Sequence, residues 1–199
     1  MRAARNVVLS LCVPLLPVLC AGSARAADDA AWGVEPLMAK LQQVKSASAG
    51  FVERKYLRLL MQRLETSGRL SYVAPDWLQK VTTKPALGTF ELRGDTVSSI
   101  QRNGERYSVT LGEHPEIAAL VEGLRSTLAG DLPTLQRYYT IDFQGSRANW
   151  QLRLTPLDTT VREKVDDILI SGAEATLKRV EVHEQDGDRS EMIITPDDS

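Results

Sequence analysis

Apolar residues first recur at helical spacing. Over Val34–Lys45, Leu37, Met38, Leu41 and Val44 fall at i, i+1, i+4 and i+7, one stripe of an amphipathic helix. After Ser46-Ala47-Ser48 the period shortens, and from Phe51 onward the chain reads as short strands divided by turn chemistry. The pattern predicts strands over Phe51–Leu57, Ser67–Val73, Trp77–Thr83, Gly88–Arg93 and Thr96–Arg102. A sixth alternates Tyr107, Val109 and Leu111 with Arg106, Ser108 and Thr110. Pro75-Asp76 breaks the second strand, Gly94-Asp95 turns after the fourth, and Asn103-Gly104 is a strong hairpin signal because both residues tolerate positive φ.

A helical island then interrupts the strands. Pro115 suits a helix start, and Ile117, Leu120, Val121, Leu124 and Leu128 recur at helical spacing up to Gly130. A shorter helical turn is expected at Pro133–Arg137. Strands resume at Tyr139, Ile141 and Phe143 and at Trp150, Leu152 and Leu154. After a polar stretch to Lys164 come Asp166–Ser171, Leu177–Glu184 and Arg189–Thr195, the last two joined at Asp186-Gly187. The sum is about eleven antiparallel strands with few helices, a mainly β chain of the α+β class. Such a meander must curl or be covered on one face, and the helices at 34–45 and 115–130 are the covers.

The start of the chain reads as an address. Arg2 and Arg5 precede an uncharged, mostly apolar run from Val7 to Ala21, and Ala24-Arg25-Ala26 supplies the small residues of a cleavage site. The run is shorter than a membrane span and holds Pro14 and Pro17. Leu19 is bulky where a lipidated Cys20 would need a small predecessor. We expect residues 1–26 to be a secretory signal, cut after Ala26, and residues 27–199 to form one exported domain. Cleavage changes the composition. Of the 199 residues, 43% are hydrophobic, and 24 Lys and Arg face 26 Asp and Glu. Removing the signal takes Arg2, Arg5, Arg25 and both cysteines, leaving 21 basic residues against 26 acidic ones, a net −5. That charge excludes a general nucleic-acid binder, and a cysteine-free domain must hold together by burial.

Catalytic chemistry finds little support. No G-x-S-x-G elbow occurs, and the two histidines, His114 and His183, lack metal-ligand spacing, so neither a metal nor a cofactor is expected. His183 alternates with Val180 and Val182, which predicts a solvent-facing position. Asp166-Asp167 opens a strand, Asp186-Gly187-Asp188 is turn chemistry, and Asp197-Asp198 lies in a polar tail. Two carboxylates can always meet in space, which leaves a glycosidase pair open. Arg93-Gly94-Asp95 reads as a turn. We expect a protein that is not an enzyme.

The inner face of the curled sheet is then the candidate site. Its expected side chains are Phe51, Leu70, Tyr72, Trp77, Phe90, Leu92, Ile100, Tyr107, Val109, Ile141, Phe143, Trp150 and Leu152. They form either an ordinary core or the wall of a cavity for an apolar ligand.

The order of motifs is similar to that of the LolA-type periplasmic lipoprotein carriers. After an export signal and an amphipathic helix come Gly50-Phe51-Val52-Glu53, then Gly68-Arg69-Leu70-Ser71-Tyr72-x-x-Pro75 and a strand ending Lys84-Pro85. The closing three strands and the insertion at 115–130 also fall where that family has them. The resemblance implies a half-open antiparallel barrel of about eleven strands whose apolar cavity shields acyl chains. It implies a helical lid carrying Ile117, Leu120, Val121, Leu124 and Leu128, packed modestly enough to open. It also implies lipid or acylated cargo, an inner-membrane donor, an outer-membrane acceptor and a monomer. The other reading of the fold is a periplasmic sensor that binds a protein partner. One position departs from the family. Ala74 precedes Pro75 where those carriers place an Arg linked to lid closure, with Arg54 and Arg69 only nearby. That departure implies a divergent relative with another lipid, such as a glycolipid or a polyene-type acyl product.

Overall fold

A computed structural model describes residues 32–58, 62–101 and 103–197. The expected signal, its cleavage after Ala26 and Arg102 lie outside the described residues. Helix α1 (Val34–Leu41) buries Leu37, Met38 and Leu41, the first three residues of the predicted stripe. It ends four residues before the pattern suggests. The N–H groups of Gln43 and Val44 bond back only three residues, to Lys40 and Leu41, and the Lys45 carbonyl accepts instead from Ala74 N–H at 2.9 Å. That contact commits residue 45 to the sheet.

Eleven strands follow: β1 (Ser46–Leu57), β2 (Gln62–Val73), β3 (Trp77–Lys84), β4 (Gly88–Arg93), β5 (Thr96–Ile100) and β6 (Arg106–Thr110), then β7 (Tyr139–Ser146), β8 (Asn149–Pro156), β9 (Val165–Ala173), β10 (Thr176–Glu184) and β11 (Arg189–Pro196). All pair antiparallel in the order β6-β5-β4-β3-β2-β1-β11-β10-β9-β8-β7. The sheet is not closed, which makes a half-open barrel with helices against its inner face. β1 begins five residues earlier than its composition suggests. Ala49 has a partner on both sides, Leu70 in β2 and Pro196 in β11, so pairing overrides the weak strand preference of Ser46–Ala49.

The two free edges, β6 and β7, are joined by the helical segment. A 3-10 turn at Leu111–Glu113 leads into α2 (Pro115–Ala129) and α3 (Leu132–Tyr138), and α4 (Thr159–Arg162) caps the far end between β8 and β9. The α2 helix stops at Gly130, whose φ of 66° is left-handed and whose backbone lies against the Met38 carbonyl and Gln42 of the α1 end. A side chain there would be strained and would collide with the α1 terminus.

Two apolar clusters fill the ends of the inner face. The larger packs α1, α2 and α3 on β7 to β10 around Leu37, Leu135, Trp150, Leu152 and Ile170. The smaller joins Leu92, Val97 and Leu111 to Ile117 and Val121 of α2. Tyr139 anchors the first: it is buried, and its hydroxyl donates to the Ala119 carbonyl at 2.7 Å. Burial, with the charge of Glu122 second, pushes its phenol well above the usual range. In the second half of the sheet, a bulge at Ser67–Gly68 brings the Val81 carbonyl so close that a Cβ on Gly68 would overlap it.

Gly68→Ala is expected to lower stability by about 1–3 kcal/mol, read as a lower urea midpoint at unchanged slope. Tyr139 adds a pH dependence. Below about pH 10 both folded and unfolded phenols are protonated and its contribution is complete. Above that the unfolded phenol ionises first, so stability falls as pH rises. Tyr139→Phe is expected to flatten this alkaline fall while costing about 1–3 kcal/mol at neutral pH, checked by urea unfolding across pH.

Candidate functional site

Between the two clusters the inner face is not filled. Here a pocket of about 420 Å³ opens beneath α2, within the range of ligand sites. Its roof is Leu41 of α1 with Leu124 and Leu128 of α2. Its floor is Ala47 and Ala49 of β1, Leu70 and Tyr72 of β2, Leu78 and Lys80 of β3 and Phe90 of β4. Leu177, Val180, Met192 and Ile194 of β10 and β11 form the other wall. The void has a local cause. The middle strand of the floor presents two alanines, whose methyl groups do not reach the helices across the layer.

Cross-strand register tells which predicted residues share this face. Leu70 pairs with Ala49 and Lys80, and Lys80 with Phe90, while Tyr72 pairs with Ala47 and Leu78. Leu70, Tyr72 and Phe90 therefore meet in the pocket, and Phe90 stays 39% exposed at its mouth. Leu92 and Val109 belong to the smaller cluster, Trp150 and Leu152 to the larger, and Ile141 and Phe143 pack against the larger. These six pack in or against the two clusters and do not line the pocket. Tyr107 shares the face with Ser99 of β5 but lies on edge strand β6, 55% exposed, with its hydroxyl on Glu105. Trp77 and Ile100 are on the other face: Trp77 pairs with Val73 and Arg93, and Ile100 with Thr89 and Arg106, the opposite parity from Leu78 and Val97. Of the helical residues, Leu124 and Leu128 line the pocket, Ile117 and Val121 pack on the smaller cluster, and Leu120 is exposed. The β10 and β11 residues were legible as alternating apolar positions, Val180 and Val182 or Met192 and Ile194, but nothing in their spacing marks them as pocket rather than core.

Phe51 is buried beside the pocket and carries its polar feature. The Lys80 ammonium lies 5.0 Å from the Phe51 ring centroid and is bonded to the Glu53 carboxylate. The same Glu53 oxygen accepts from the Thr66 hydroxyl at 3.3 Å. Burial raises the Tyr72 phenol, with the charge of Asp76 second, and its hydroxyl has no hydrogen-bond partner among the described residues.

A separate set of polar contacts clasps α2 to the sheet. Arg125 donates to the Gly94 carbonyl in the β4–β5 turn at 2.8 Å, lies 3.7 Å from Asp95 and is paired with Glu122 one turn back. Glu122 is buried and also accepts from Ser126 at 3.2 Å. The Arg93-Gly94-Asp95 turn thus serves as the catch for the helix. Along the same helix Ala119, Ser126 and Thr127 are buried, while Ile117, Val121, Leu124 and Leu128 are only partly so. Arg54 and Arg69, by contrast, face outward, paired with Glu65 and Asp197.

Two further groups of titratable side chains lie outside the pocket lining. Asp167 is buried on the outer face with one oxygen on Arg153 and the other 2.7 Å from His183 Nδ1, so His183 is half-buried rather than solvated. Glu184, Asp186 and Asp188 bring oxygens within 4.8 Å of one another in the β10–β11 hairpin. The Lys55 ammonium, held above its usual range by the bond, donates to Glu184 at 2.9 Å, the Arg58 N–H to Asp188 at 2.8 Å and the Asp188 N–H to Asp186 at 2.9 Å. No helix of the described residues is long and apolar enough to cross a membrane.

The family described as outer membrane lipoprotein carrier protein LolA-like matches residues 21–196. Among solved structures, a LolA superfamily protein from Nitrosomonas europaea is similar at 10% identity and a TM-score of 0.45, covering 85% of this chain and 96% of its own. An outer membrane lipoprotein-sorting protein domain from Vibrio parahaemolyticus is similar at 9% identity and a TM-score of 0.42, over 83% and 90%. The MucA/MucB complex of Pseudomonas aeruginosa matches at 12% identity and a TM-score of 0.42, over 81% of this chain and 54% of that one. No curated protein matches in sequence.

Removing the clasp leaves Glu122 buried without its cation. Arg125→Ala is expected to speed amide exchange over 117–128 by about tenfold or more while β1, β2 and β11 stay protected. Adding Glu122→Gln is expected to restore part of the protection.

Proposed function

This chain belongs to the LolA-like outer membrane lipoprotein carrier family, and from that premise we propose that it is a periplasmic carrier that shields acyl chains of a lipid or lipidated cargo on the way to the outer membrane. The observation that carries the reading is the pocket beneath α2, mostly apolar on floor, roof and walls, with Lys80 its one charged residue among a few polar ones such as Ser48, Gln79 and Thr176. Each methylene taken out of water is worth about 0.8 kcal/mol, so a long chain gains most from a dry groove of this kind. Leu70, Tyr72, Phe90, Leu124 and Leu128 contact the chain, together with Ala49, Val180, Met192 and Ile194. The helix α2 is the lid, and Arg125 is the contact that must yield for loading. The protein binds and releases, with no chemistry of its own, and residues 27–199 are the exported domain. Its cargo comes from an inner-membrane donor and leaves to an outer-membrane acceptor.

Protein isolated under native conditions is expected to contain fatty acid or phospholipid by mass spectrometry and to bind a hydrophobic dye. Ala49→Trp fills the floor and is expected to weaken dye binding by about tenfold or more while the chain still unfolds cooperatively. Absence of both lipid and dye binding in the unaltered protein would overturn the proposal.

A further inference from the structure

We infer that the ligand of this pocket is anionic at one end, a chain ending in a carboxylate or a phosphate, and that Lys80 receives that end. The inference rests on the pocket being the acyl site. Among the residues that line it, Lys80 alone is charged. Its cross-strand neighbours are Leu70 and Phe90, so the position is one where an apolar side chain would be the inexpensive choice. The ammonium is instead retained and held in place. Glu53 anchors it, the Phe51 ring lies 5.0 Å from it, and Thr66 fixes the Glu53 oxygen from behind at 3.3 Å.

The ion pair leaves the lysine with donor capacity for a second acceptor. An ammonium has three N–H donors, and among the described residues Glu53 is its single hydrogen-bond acceptor. Lys80 lines the pocket and Glu53 does not, so a ligand lying between Leu70 and Phe90 packs against the lysine side chain and not against the carboxylate. The ammonium is also partly withdrawn from water, its side chain 27% exposed, which strengthens a charge-assisted bond to an anion. Glu53 is a positioning residue in this scheme, and it opposes the ligand's charge. Replacing it by a neutral isostere therefore strengthens anion binding, an effect that a purely structural Glu53–Lys80 pair would not produce.

The test is a fluorescence titration of the purified protein with a dansyl-labelled undecanoic acid and with its methyl ester. The unaltered protein is expected to bind the acid about tenfold more tightly than the ester. Lys80→Met, which keeps the unbranched stem, should bring the acid to the affinity of the ester and leave the ester unchanged. Glu53→Gln should tighten the acid alone. Dodecyl phosphate should displace the acid, and inorganic phosphate at millimolar concentration should not. Equal binding of acid and ester, or a Lys80→Met loss shared by both, overturns the inference and leaves the carrier reading standing. Displacement by inorganic phosphate alone overturns it in favour of a free-anion site. If neither probe binds, the pocket reading falls along with it.

Discussion

Antiparallel pairing runs without a break from β6 to β7 through the β1–β11 contact, and it leaves one long inner face that must be kept from water. The chain draws the cover from the segment that joins the two free edges, so α2 is tied to the sheet at both ends by covalent connection. A helix so placed packs well only where side chains from the sheet reach it. They do so at the two ends of the face, around Trp150 and around Leu92. In the middle, Ala47 and Ala49 fall short, and the layer stays open beneath Leu124 and Leu128.

The polar groups of this region follow from the same geometry. Arg125 and Glu122 would be costly beneath a fully sealed helix, but together they hold α2 to the β4–β5 turn with donors and acceptors matched. A hydrogen-bonded catch of this sort is directional and breaks over a short displacement, whereas an apolar seam of equal strength would resist sliding along its whole length. Lys80 is the counterpart on the floor. Its charge is tolerated because the Glu53 carboxylate is bonded to it and the Phe51 ring lies beside it, neither of them part of the pocket lining. Helix α2 and the floor each place one basic side chain against a mostly apolar inner face, and in each case a carboxylate from the same structural layer steadies it.

Much of the architecture was legible in the chain. Alternation located all eleven strands, and the segment from Pro115 to Gly130 stood out at helical spacing with a proline at its start and a glycine at its end. The pocket was harder to read. Large aromatic and aliphatic residues mark where a layer is filled, so selecting them found the packed ends, Trp150, Leu152 and Leu92, more readily than the gap. The gap is marked by small residues, and alanines in a strand carry no signal of their own. Trp77 shows the second difficulty. It is adjacent to Leu78, and a strand's period of two separates them onto opposite faces without saying which face looks inward.

What the sequence determined by itself is therefore local and periodic: a mainly antiparallel chain, one long helical insertion, a resemblance carried by Gly68 to Pro75, and an acidic balance that argues against nucleic acid. These depend on neighbours a few residues apart, where spacing sets geometry directly. Tertiary structure decided the rest. It chose which face of each strand is inner, set Arg125 against a turn some thirty residues earlier, and brought β10 and β11 beside β1 to complete the pocket wall. Cross-strand register and the join between the first and last strands are long-range pairings, and no local pattern specifies the partner of a strand that lies at the other end of the chain.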